Sequence, residues 1–109
     1  MEGRVGAALL EKLPHKLRTA EILALESEDH YLRVHTDQGD ALILMRLSDA
    51  IAAVEALDGA KTHRSWWVAR TAITEVSRGD GRATLTLSNG VDAPVSRTFA
   101  PALRDSGWY

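Results

Sequence analysis

Tyr31-Leu32-Arg33-Val34-His35-Thr36 alternates without interruption, and a period of two is met only by a strand with unlike faces. Leu32, Val34 and Thr36 fall on one face; Tyr31, Arg33 and His35 fall on the other. The same grammar recurs along the chain. Ala20–Leu25 reads as a strand that enters the polar turn Glu26-Ser27-Glu28-Asp29-His30. Asp37-Gln38-Gly39-Asp40 is a hairpin turn, and Ala41–Arg46 is the returning strand. Thr71–Val76 continues as a strand, Arg78-Gly79-Asp80-Gly81 is a tight turn, and Ala83–Leu87 alternates to bury Leu85 and Leu87. Ser88-Asn89-Gly90 is the strongest hairpin signal, because Asn-Gly fits a type I′ turn. Val91, Ala93 and Val95 alternate on the return, where Pro94 removes a ladder donor and so marks an edge strand.

Helical spacing is convincing in one place only. Leu47, Ile51, Val54 and Leu57 form a stripe, Ser48 is a natural N-cap, Asp49 suits the first turn and Gly59 is placed to terminate the helix. The helix is expected over about residues 48–58. Ala7–Leu13 has enough helix formers for one or two turns before Pro14 stops it. At the other end Phe99, Leu103 and Trp108 are expected to pack back, with Pro101 opening a short helical turn. The fold class is mostly β: small antiparallel sheets with one short α-helix.

Composition narrows the function. A chain of 109 residues suits one domain with its own core. Residues 1–15 read as a leader or linker and 16–109 as the domain. With no cysteine, disulfides, thiolate metal sites and cysteine nucleophiles are excluded. No apolar run approaches the roughly 20 residues of a membrane span, and no signal-peptide pattern opens the chain. The expected location is cytoplasmic, with a membrane tether only if an upstream segment is missing.

Net charge is −2, which at first argues against a nucleic-acid partner. The distribution is uneven: residues 1–20 balance to +2, residues 21–58 to −7 and residues 59–109 to +3. In the last block six arginines stand against one lysine. Arginine suits two-pronged recognition of phosphates and guanine edges.

The histidines His15, His30, His35 and His63 match no strong metal-ligand spacing. Ser65 and His63 with one of many aspartates invite a hydrolase reading, but any soluble domain allows such an arrangement to be drawn. No cofactor, metal site or enzymatic activity is expected. The polar residues instead gather at three turn-to-strand junctions: Glu28-Asp29-His30-Tyr31, His63-Arg64-Ser65, and Ser96-Arg97-Thr98. Behind the second lies Trp66-Trp67-Val68-Ala69, an apolar run that must be buried and so holds its cationic head stiffly. One of its tryptophans is expected in the core; the other's environment stays open. The basic arm His15-Lys16-Leu17-Arg18 reads either as a solvated leader or as a flanking phosphate contact.

Taken together, Ile22–Thr36 with its Glu28-Asp29-His30-Tyr31, Leu47-Ser48, His63-Arg64-Ser65-Trp66-Trp67-Val68-Ala69-Arg70, Leu85–Gly90 and Pro94-Val95-Ser96-Arg97 resemble the LytTR family of bacterial DNA-binding domains over roughly residues 16–104. The resemblance implies an elongated β domain that enters successive major grooves through loops, at paired direct-repeat sites on double-stranded DNA. It implies base contacts from His30, Arg64 and Arg97, and phosphate contacts from Arg46, His63, Ser65 and Ser96. It further implies a dimer on tandem sites and an upstream receiver domain or membrane region outside this chain. One departure stands out: Ala69 occupies a position where the family commonly has asparagine, and Arg70 beside it is either a substitute phosphate contact or solvated. A competing reading makes the domain a protein-interaction module that sequesters another regulator through its acidic centre.

Overall fold

A computed structural model describes residues 4–109. Eight strands alternate with short helices: α1 (Ala7–Leu10), β1 (Ile22–Glu28), β2 (Tyr31–Thr36), β3 (Gly39–Ile43), α2 (Leu47–Ala53), β4 (Gly59–His63), β5 (Trp66–Ala69), β6 (Ile73–Gly79), β7 (Arg82–Leu87), β8 (Asp92–Val95) and α3 (Ala100–Asp105). Single 3-10 turns occupy His15–Leu17 and Arg70–Ala72. The strands form a five-stranded sheet ordered β3-β2-β1-β5-β4 and a three-stranded sheet ordered β6-β7-β8. Every pairing is antiparallel. The fold class is as the sequence implied, and Pro94 sits on the edge strand β8 as expected.

Register explains the core. Leu25 lies opposite Val34 on one side and Trp67 on the other, and Val34 lies opposite Ala41, so this row shares a face. Leu25 and Val34 are fully buried. Helix α2 packs on β1 and buries Ala50 and Val54 completely. Burying one valine or leucine side chain contributes about 1.5–3 kcal/mol.

The opposite face departs from the alternation rule. His35 falls on the nominally polar side, yet it is only 6% exposed. Its ring stacks on Trp66 at 5.5 Å with an interplanar angle of 6°, and its Nε2 lies 3.1 Å from Glu26 Oε1. The tryptophan brought alongside by the β1–β5 pairing covers it. Both tryptophans are therefore buried, Trp66 against His35 and Trp67 against the other face.

Helix α2 is shorter than the expected 48–58. It begins at Leu47 with Arg46 as N-cap, so Ser48 lies inside the first turn and caps nothing. It ends at Ala53 because Val54 leaves helical backbone geometry, and Val54 and Leu57 donate to carbonyls three residues back. Gly59 is not its terminator. A Cβ on Gly59 would sit 2.2 Å from Trp67 Cζ2, so the glycine is the space into which Trp67 packs.

Three turns also differ in detail. The β6–β7 turn is reduced to Asp80-Gly81, both at positive φ (54° and 74°). These are the paired left-handed residues of a type I′ turn. At Ser88-Asn89-Gly90 only Gly90 has positive φ; Gly90 N–H donates to Leu87 O, and Asn89 Oδ1 accepts from Val91 N–H. Asn89 thus spends its side chain inside a longer loop. In the β1–β2 turn Asp29 takes the left-handed region at φ 55°, which Asp tolerates better than most residues.

Residues 4–15, expected as part of a leader, pack onto the domain. Leu9 and Leu13 are buried, Gly6 N–H donates to Ala53 O at 2.7 Å, and α1 lies against α2. The driving force is the apolar spacing of Leu9, Leu13 and Leu17, all three in the core.

Candidate nucleic-acid interface

Three polar tips emerge from this scaffold, each from a different strand end. The first is Asp29-His30, the two-residue link closed by the Glu28–Tyr31 pair; His30 is exposed. The second is Arg64-Ser65, closed by the His63–Trp66 pair, with Arg64 exposed and Ser65 half-buried. Its shape is set internally: Ser65 N–H donates to His63 Nδ1 at 3.1 Å. With Nδ1 accepting this bond, Nε2 is the ring nitrogen left to donate. The third is Ser96-Arg97, directly after β8, with Arg97 exposed.

Two backbone bonds join the tips. Ser27 N–H donates to Ser65 O at 2.8 Å, tying the β1–β2 tip to the β4–β5 tip. Ser96 N–H donates to Thr62 O at 3.0 Å, and Thr62 Oγ1 donates to Pro94 O at 2.9 Å, tying the β4–β5 hairpin to β8. Thr62 is fully buried, so these bonds are shielded from water. They also couple the two sheets. Buried Trp66 and Trp67 anchor the middle tip, as the apolar run behind it requires.

Arg46, exposed at the N-cap of α2, lines the same surface hollow as Ser27 and His30. So does Lys12, which the sequence reading did not single out. The apolar spacing that seats residues 9–17 was the available signal, because it fixes which side Lys12 faces. Asp29 and Asp49 also line this hollow and temper its positive charge.

Other cations are committed elsewhere. Arg70 donates from Nη2 to Gly107 O at 3.0 Å and lies over the Trp108 ring at 5.8 Å, so it clamps the C-terminal segment while staying exposed. Arg18 donates to Leu13 O at 3.3 Å and Leu17 is buried, so the arm is packed on the domain while His15, Lys16 and Arg18 stay exposed. Arg33 bonds Glu28 at 2.6 Å and also Asp40. The Arg33 bond holds the Glu28 carboxyl below its usual range, and bonds to Glu28 and then Asp40 push the Arg33 guanidinium up. Part of the acidic centre is thereby neutralised within β1–β3. Among the described residues no group of three or more His, Asp or Glu could hold a metal ion, and no helix is long and apolar enough to cross a membrane.

The family model for the LytTr DNA-binding domain matches residues 14–108. The chain belongs to the LytTR family. Its described β architecture fits that assignment, and a LytTr DNA-binding domain from Bacillus cereus shares the fold, with a TM-score of 0.70 at 21% identity over 78% of this chain and 79% of that one. No curated protein matches. As a LytTR domain the chain is a DNA-binding domain of the kind found in transcription regulators, a family defined by DNA binding and not by catalysis.

Proposed function

We propose that this LytTR domain reads double-stranded DNA through its three tips, with His30, Arg64 and Arg97 at base edges in the major groove. Arg64 and Arg97 each offer two donors to guanine O6 and N7, the pairing that only the major groove displays. Arg46, His63, Ser65 and Ser96 hold phosphates and fix the register. The observation that carries this reading is the pair of backbone bonds, Ser27 to Ser65 and Ser96 to Thr62, which hold the tips in fixed relation. Readers whose spacing is built in lose little freedom on binding. Paired direct-repeat sites follow if two domains bind side by side in the same orientation, as a dimer formed on DNA.

Selection of duplexes from a random pool, followed by gel shifts of the selected site, tests the reading. Arg64→Ala and Arg97→Ala are each expected to weaken specific binding by about 1–3 kcal/mol. Affinity for random duplex should fall steeply with salt, because phosphate contacts release counterions. No enrichment of any duplex, with no binding at low salt, would instead support an interaction module acting through the acidic centre.

A further inference from the structure

Arg97 stands on a second element, the β6–β7 turn. Its Nε donates to the main-chain oxygen of Asp80 at 2.8 Å. Its stem crosses Gly81: a Cβ there would lie 3.6 Å from Arg97 Cγ and 3.9 Å from Cδ. The carbonyl reaches Arg97 because Asp80 and Gly81 both take positive φ. Within the described residues the two Nη groups make no hydrogen bond.

We propose that the Asp80-Gly81 turn is a positioning element that dictates which edge of the Arg97 guanidinium meets DNA. The proposal rests on the reading of Arg97 as a base reader. A guanidinium can pair with guanine side-on, through Nε and one Nη, or end-on, through both Nη groups. Nε carries one proton, and Asp80 O takes it. The side-on edge is closed, and the end-on edge keeps both Nη groups available. The brace also restricts the side chain before DNA arrives, so less rotamer freedom is lost on binding. The acceptor is backbone, so the residue that sets its place is Gly81, whose φ of 74° suits glycine, then asparagine, and is hostile to a β-branched side chain.

The test has two arms. In the DNA-free protein, NMR is expected to show the Arg97 Nε–H exchanging with water more slowly than that of Arg64; equal exchange overturns the brace without any variant. In the second arm, affinities are measured for the selected site and for single base-pair changes in it, using Gly81→Val, Gly81→Asn and Arg97→Ala. Arg97→Ala identifies the base pair that Arg97 reads. Gly81→Val is expected to lose discrimination at that pair, roughly ten- to a hundredfold, while keeping it at the pair read by Arg64. Gly81→Asn keeps both. If Gly81→Val still discriminates at the Arg97 pair, the brace is wrong. If Arg97→Ala changes discrimination nowhere, the base-reading role itself fails, and the two failures are distinct. If Gly81→Val does not fold, the exchange measurement on the native protein decides.

Discussion

At the scale of single residues, side chains that look alike in the sequence have opposite assignments. Arg64 and Arg97 are exposed at tips, Arg97 with its Nε on Asp80 O, while Arg70 reaches across to Gly107 O and Arg33 is tied to Glu28 and Asp40. The sequence distinguishes these poorly, because a partner such as Gly107 O is distant along the chain. Gly59 is similar: its position after a helix suggested termination, whereas its role is to admit Trp67. Gly59→Ala should therefore destabilise by about 1–3 kcal/mol through overpacking, read from urea midpoints; an unchanged midpoint would contradict the assignment. The Glu28–Arg33 pair gives a pH prediction. Glu28 is lowered from its usual 4.5, so its contribution is fully present above about pH 4.5 and is lost as pH falls through the lowered folded value. The pair is partly exposed and screened, so the effect is small. The urea midpoint should fall less between about pH 6 and about pH 3 for Glu28→Gln than for the native chain; identical pH dependence would count against it.

At the scale of elements, the strands and most turns were legible because period two and turn chemistry are local. What pairs with what was not. The pairing of β1 with β5 brings Trp66 over His35 and buries that one residue of a face that alternation marks as polar. The N-terminal segment resembles a leader in sequence because each of its signals is weak alone, yet Leu9, Leu13 and Leu17 act together once α2 offers a surface. Leu9 is fully buried, so Leu9→Ala should cost about 2–5 kcal/mol of stability, measured by chemical denaturation; a loss near zero would return this segment to the status of a leader. The tips were legible as motifs, while the bonds joining them, Ser27 to Ser65 and Ser96 to Thr62, span long sequence separations and leave no local trace.

At the scale of the whole molecule, the domain measures 40 × 26 × 22 Å. Its long axis is comparable to the roughly 34–36 Å of one helical turn of DNA. The net charge of −2 does not oppose DNA binding, since the acidic centre neutralises part of itself through Arg33 and the arginine-rich half supplies Arg64 and Arg97. The most direct measurement is methylation interference on a selected site, because dimethyl sulfate marks guanine N7 in the major groove and adenine N3 in the minor groove. Loop readout by Arg64 and Arg97 predicts interference at guanine N7 positions, with one position silenced by Arg64→Ala and another by Arg97→Ala. Interference confined to adenine N3, or a guanine pattern unmoved by either substitution, would contradict it.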